Sequence, residues 1–164
     1  MGQVQSVQKA QPIKCIENTK QWDALVLYEV QLGSSSVYLE QNTVTFDLVN
    51  AADLEAIEHP GESGTDKSNY PIRHHAYKMH FVGSNPNAKI TRAKQSAEYY
   101  NFLNGNNPAA WSSYVYGFGE VQYRQIYSGI DLKFYSSGEN MKYDFIVKPG
   151  ADINQINIQY EGTD

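Results

Sequence analysis

The stretch Tyr127-Ser-Gly-Ile130-Asp131-Leu132-Lys133-Phe134-Tyr135 runs through Gly138 into Met141-Lys-Tyr143-Asp144-Phe145-Ile-Val147 and Pro149-Gly150-Ala-Asp152, then on to Ile156-Asn-Ile158-Gln-Tyr160. It reads as three strands with punctuated turns. Ile130, Leu132 and Phe134 alternate with Asp131, Lys133 and Tyr135. Met141, Tyr143, Phe145 and Val147 alternate with Lys142, Asp144 and Ile146, and Ile156, Ile158 and Tyr160 alternate with Asn157, Gln159 and Glu161. Period-two alternation places one face of each strand in a core and the other in water. Residues 136–140 form a hairpin loop, and Pro149-Gly150 ends the second strand, because proline has no amide to give a ladder and glycine tolerates positive φ.

Working outward, residues 22–31 read as a strand, 33–36 as a turn, and Val37–Glu40 and Thr43–Val49 as two more strands of a meander. Asn50 caps a short helix over residues 50–58, with Leu54 and Ile57 three apart. The stretch 59–69, rich in turn formers and poor in apolar groups, is expected to be a mobile surface loop. A strand resumes at His75–Val82, with Tyr77, Met79 and Phe81 on the face of His75, and residues 83–87 turn the chain toward a strand over 88–91. About ten strands at this spacing imply an all-β, mainly antiparallel fold, either a β-sandwich or a strongly curved pair of sheets, with at most one short helix.

The 164 residues suit one domain, and a 41% hydrophobic share fills a single core. Residues 1–12 read as a flexible lead and 13–164 as one β-rich domain. Thirteen tyrosines against six phenylalanines and two tryptophans favour half-buried pleated surfaces, where a ring packs and its hydroxyl reaches water. A net charge of −5 without any basic cluster argues against a nucleic-acid partner. No run of residues is long and apolar enough to be a membrane span, and residues 1–10 lack the apolar core of a signal peptide. The lone Cys15, flanked by Ile13 and Ile16, reads as a small buried thiol.

Several strings together carry a family resemblance: Ile16-Glu-Asn-Thr-Lys-Gln-Trp22, His75-Ala-Tyr-Lys-Met-His-Phe-Val-Gly-Ser-Asn-Pro86, Tyr99-Tyr-Asn-Phe-Leu-Asn-Gly-Asn-Asn-Pro-Ala-Ala-Trp111, Phe118-Gly-Glu-Val-Gln-Tyr123, Tyr127-Ser-Gly-Ile-Asp-Leu132, Tyr143-Asp-Phe-Ile-Val147 and Glu161-Gly162. They resemble an uncharacterised N-terminal domain of large secreted proteins of Bacteroidota, often found upstream of SBBP-type β-propeller repeats, PKD-like domains or a C-terminal secretion and sorting domain. Thr19-Lys20 and Ser128 depart from the pattern, where a Lys-Gly pair and a proline are usual. The resemblance implies a secreted or cell-surface location, a mature N-terminus behind an added methionine, other domains of the same parent protein as partners, and a domain that runs on past Gly162. It implies no active residue and no cofactor.

Catalytic chemistry finds little footing in the residues. His75 and His80 fall on opposite faces of one strand, and His74 and His80 share a face about 20 Å apart, so the histidines do not converge on a metal. Asp131 and Asp144 stand on the polar faces of consecutive strands and form the one candidate carboxylate pair for a glycoside hydrolase. The structural alternative gives Asp131 turn amides to accept and Lys133 or Lys142 as counterion. Recognition is better placed between Tyr99 and Phe118, where rings and amides interleave in a loop-like segment. Tyr99, Tyr100, Asn104, Trp111, Tyr114 and Tyr116 are the candidate ligand-binding residues, suited to a glycan or a protein, with Trp111 as a plug of the fold as the alternative. The chain thus reads as a non-catalytic extracellular domain acting in adhesion, scaffolding or ligand capture. A carbohydrate-active module, either sugar-binding or a hydrolase using Asp131 and Asp144, is the rival reading.

Overall fold

The structure, a computed structural model, describes residues 12–58, 71–138 and 140–163. Most of the flexible lead expected over 1–12, and the loop expected over 59–69, lie outside the described residues. Ten strands and one helix follow in order: β1 (Cys15–Glu17), β2 (Tyr28–Leu32), β3 (Ser35–Leu39), β4 (Thr43–Val49), α1 (Ala51–Glu58), β5 (His74–Phe81), β6 (Lys89–Phe102), β7 (Ser112–Tyr127), β8 (Ile130–Ser137), β9 (Asn140–Val147) and β10 (Ile158–Glu161). All pairings are antiparallel, and the sheet follows the path β10-β5-β4-β3-β2-β1-β7-β8-β9, with β6 on the other flank of β7. The expected strongly curved antiparallel sheet is what forms: one sheet curls into a half-barrel rather than two sheets facing each other.

β7 is the spine of this curl. On one flank it carries β6 along most of its length, and on the other it pairs first with β1 through Gly117 and Phe118 and then with β8 from Glu120 onward. The flanking strands therefore diverge and fold toward each other over a shared core. That core takes Val30, Val37, Leu39, Val44 and Met79 from one side and Val121, Tyr123, Ile126, Ile130, Leu132 and Phe134 from the other. Two buried tyrosines tie the halves together. The Tyr123 hydroxyl donates to the Glu40 carbonyl at 2.8 Å, and that of Tyr127 lies 3.2 Å and 3.1 Å from the Val82 and Asn157 carbonyls. Burial drives the Tyr123 hydroxyl far above its usual pKa, so it stays protonated and donating. Cys15 is buried too, and burial pushes its thiol up to about 12, the state of an inert core thiol.

The strand expected over 88–91 runs on as β6 to Phe102, and two other strands are shorter than the pattern implies. The strand expected over 22–31 shrinks to β2, because residues 18–27 wrap around Asn18. Its Nδ2 donates to the Asp23 and Val26 carbonyls at 2.8 Å and 2.7 Å, which holds the chain in a turn before Tyr28. The strand expected from Ile156 begins only at Ile158, since Asp152 caps a short 3-10 turn at Ile153–Gln155. The helix forms as read, with the Asn50 side chain accepting from Ala52 N at 3.0 Å.

α1 is anchored by a buried carboxylate. Asp53 accepts from the Arg73 backbone amide and from Arg73 Nε, both at 2.9 Å, and from Arg73 Nη2 at 2.7 Å. These bonds, the guanidinium's first, hold its pKa at about 2 against an ordinary 3.8. A depressed carboxylate contributes stability that is complete above its unfolded pKa and is lost as pH falls through the folded one. Thermal melts taken from pH 5 down to pH 2 should therefore decline less steeply for Asp53→Asn than for the wild type. Parallel declines would contradict the role assigned to this anchor.

Candidate functional site

The segment from Tyr99 to Phe118 is not a loop. It is the far half of the β6–β7 hairpin, a two-stranded arm projecting past the core, with Tyr99 opposite Tyr116, Tyr100 opposite Val115 and Phe102 opposite Ser112. Because neighbouring residues of a strand face opposite ways, the six candidate residues divide between the two faces and the tip. Tyr99, Tyr114 and Tyr116 come together on one face: the Tyr99 ring lies 4.8 Å from that of Tyr114 and 6.2 Å from that of Tyr116. Tyr100 lies on the other face beside Phe102, whose ring meets Trp22 edge-on at 5.4 Å. There it lines a separate cleft of about 500 Å³ with Ile13, Ile16 and the Lys14–Glu98 ion pair.

The tip is built by polar side chains. Asn107 caps the 3-10 turn Pro108–Ala110 by accepting from Ala109 N, and Lys20 Nζ donates to the Ala109 carbonyl at 2.8 Å. The indole of Trp111 is half-buried and donates to the Gly105 carbonyl at 3.1 Å. Trp111 therefore staples the tip closed and positions its neighbours. Asn104 is exposed on that tip.

Tyr114 is the unusual member. It holds φ at +58°, a left-handed conformation that costs an aromatic residue on the order of 1 kcal/mol or more, and its side chain stands 65% exposed. Asn101 Oδ1 accepts from Tyr114 N at 3.1 Å and fixes this kink. The result is a surface cluster in which the Tyr99 ring, itself about half exposed, meets those of both Tyr114 and Tyr116. Such rings can stack on a sugar face or cover an apolar partner surface while their hydroxyls hydrogen-bond.

The carboxylate pair is arranged differently from a hydrolytic dyad. Asp131 and Asp144 share the outer face of the β8–β9 hairpin as diagonal neighbours, since Asp131 pairs with Ile146 and Lys133 with Asp144. That face is not wet at Asp131, whose side chain is 3% exposed. Its Oδ1 accepts from Gln125 N at 2.7 Å, and its Oδ2 from Arg124 Nη1 at 3.0 Å and Gln122 Nε2 at 3.1 Å. The turn-amide role expected of Asp131 is thus present, but its counterion is Arg124 rather than Lys133 or Lys142. Lys133 instead stands over the Tyr135 ring at 4.9 Å. Burial opposes ionisation of Asp131, yet the Gln125 amide and the Arg124 guanidinium outweigh it and hold the carboxyl below its usual range. Asp144 takes the hydroxyl of Tyr135, whose pKa rises in consequence. A general acid needs a raised pKa and a nucleophile a free lone pair turned to solvent; Asp131 has neither.

The histidines also find separate partners. His74 Nδ1 lies 3.0 Å from Asp47 Oδ1, while His80 sits between Thr43 Oγ1 at 3.1 Å and Glu161 Oε2 at 3.0 Å. Among the described residues no three His, Cys, Asp or Glu side chains are grouped to hold a metal ion, and no helix is long and apolar enough to cross a membrane.

Fold and site together define an all-β domain with a strongly curved antiparallel sheet, a buried structural aspartate and a tyrosine-bearing arm. The chain belongs to the family described as Domain of unknown function (DUF7948), whose model matches residues 15–164. No curated protein and no solved structure matches it.

Proposed function

We propose that this domain is a non-catalytic binding module of a larger secreted or cell-surface bacterial protein, acting in adhesion, scaffolding or ligand capture through the tyrosine face of its β6–β7 arm. The observation that carries this reading is Tyr114: a left-handed backbone, fixed by Asn101, that holds a large ring out in water against Tyr99, which in turn meets Tyr116. A conformation that costs stability and presents an apolar group to solvent is what a recognition surface requires and a merely structural arm does not. The extracellular setting and the Bacteroidota parentage rest on the sequence resemblance. Within this reading the favoured ligand class is carbohydrate, because the face offers tilted and edge-on tyrosine rings with hydroxyls and no buried charge. The hydrolase variant is the weaker one, since both oxygens of Asp131 are engaged by protein donors.

A glycan panel probed with the wild type and Tyr114→Gly tests this. Glycine relieves the positive φ and removes the ring, so the variant is expected to melt at or slightly above the wild-type temperature while losing at least tenfold in affinity, about 1.4 kcal/mol. Binding unchanged in Tyr114→Gly would overturn the assignment to the arm. A panel with no binder at all would overturn the carbohydrate assignment.

A further inference from the structure

Asn104-Gly105, at the tip of the β6–β7 arm, is the only asparagine–glycine step in the chain. Glycine has no Cβ to shield its amide, so of all successors it least hinders attack of that amide on the preceding side chain. We propose that Asn104-Gly105 is a self-modification site, where the asparagine deamidates through a cyclic imide, chiefly to isoaspartate, and the product releases the Trp111 staple. The inference stands apart from the glycan reading, since no ligand takes part in it.

Both reacting groups are unengaged. Asn104 is exposed and its side chain makes no hydrogen bond among the described residues, where Gly105 N also has no acceptor. Gly105 holds φ at +67°, and a Cβ built on it would meet nothing within 4 Å, so water reaches the amide and the cyclic product has room. Other asparagines are tied down. The side chains of Asn18, Asn50, Asn101 and Asn107 each bond to backbone groups. Asn87 is exposed, but the amide that would attack it, Ala88 N, donates to the Asn85 carbonyl at 3.2 Å. Asn106 offers the internal comparison: it is exposed on the same tip, yet its successor is Asn107 rather than a glycine.

Water is the only co-reactant, and nothing is oxidised or reduced. The Gly105 nitrogen gives its proton to base and bonds to Asn104 Cγ as the Cγ–Nδ2 bond breaks, and the departing nitrogen takes up a proton and leaves as ammonia. Water then opens the imide. Cleavage at the Asn104 main-chain carbonyl leaves the chain running through Cβ and Cγ, which is isoaspartate, whereas cleavage at Cγ leaves ordinary aspartate. The main-chain carbonyl is the more electrophilic, because the Asn104 amide nitrogen withdraws electrons beside it. Isoaspartate adds a carbon to the main chain between Gly105 and the last β6–β7 pair, Phe102 with Ser112. The Gly105 carbonyl, which accepts from Trp111 Nε1 at 3.1 Å, is thereby displaced from the indole.

The test ages the purified wild type in neutral buffer beside Asn104→Gln, whose longer side chain would have to close a larger ring. Peptide mapping by mass spectrometry reads the exchange of amide NH2 for hydroxyl at each asparagine, and chromatography separates isoaspartyl from aspartyl peptides. Asn104 is expected to convert about tenfold faster than Asn106 or more, a barrier lower by about 1.4 kcal/mol. Isoaspartate should be the main product, and position 104 of Asn104→Gln should stay unchanged. In NMR spectra the Trp111 indole N–H signal should move and exchange faster with solvent as wild type ages, and should hold its place in Asn104→Gln. Conversion at Asn104 no faster than at Asn106, aspartate as the main product, or an isoaspartyl protein whose indole signal has not moved would each overturn the proposal.

Discussion

Phe134→Ala is expected to lower the stability of the domain by about 3 to 5 kcal/mol, the range for emptying a fully buried aromatic site. Phe134 is 1% exposed and sits opposite Val121 on β7 and Tyr143 on β9. Its ring meets Tyr123 at 5.8 Å in an edge-on arrangement and Tyr143 at 5.9 Å. The walls of the cavity left behind are hydrogen-bonded ladders on both sides, so they cannot collapse to fill it, and the cost lies toward the upper end of the range. Phe134→Leu, which keeps most of the volume, should cost about 1.5 kcal/mol or less. Urea titrations followed by circular dichroism measure both. An alanine variant within about 1 kcal/mol of wild type would show that the core is not organised around this ring.

The second large effect is expected at Asp131. Asp131→Ala removes the acceptor of three donors at once, leaving the part-buried Gln125 amide, held at a left-handed φ of +53°, without its acceptor. An orphaned buried donor costs about 1 to 3 kcal/mol, and the loss of the other two bonds brings the expected total to about 2 to 4 kcal/mol. Arg124 is half exposed and can turn its charge to water, which keeps the cost below that of breaking a fully enclosed ion pair. Asp131→Asn keeps one acceptor for the Gln125 amide and should fall between. Because the carboxyl is held below its usual range, its contribution is present above the ordinary carboxylate pKa and fades as pH falls. The wild-type advantage over Asp131→Ala should therefore shrink on acidification. A variant as stable as wild type at neutral pH would contradict the structural role and reopen the case for a catalytic one.

The legible parts of this fold are those where one face is dry. Ile130, Leu132 and Phe134 write their alternation plainly because all three enter the core, and Asn50 and Pro149-Gly150 mark boundaries by local chemistry that needs no tertiary partner. The arm is illegible for the opposite reason. Its β6 strand is exposed almost throughout while its β7 strand buries Ser112 and Val115, so no clean period appears, and register shifts between Gln95 and Tyr99 and between Tyr100 and Phe102 reset what alternation there is. Left-handed kinks at Lys94 and Tyr114 fall at residues that do not advertise them as glycine would. Tyr99 and Tyr100 look equivalent in the sequence, yet a single step along the strand puts them in different environments. Asp131 does accept a backbone amide, as its sequence setting implies, and its partner Arg124 is the next residue in line after the Tyr123–Leu132 pair, a register between β7 and β8 that the sequence does not print before the strands are aligned. Trp111 carries the signal of a sugar platform while serving as a loop staple, because an indole that stacks and one that donates to a carbonyl look alike in sequence.

The central claim, that recognition belongs to the tyrosine face of the arm, is tested most directly by amide chemical-shift mapping of the domain titrated with any ligand recovered from a glycan panel. The account predicts that perturbations centre on Tyr99, Asn101, Tyr114 and Tyr116 and leave Asp131 and Gln125 unmoved. Perturbations centred on the outer face of the β8–β9 hairpin around Asp131 and Asp144, with the arm silent, would contradict it.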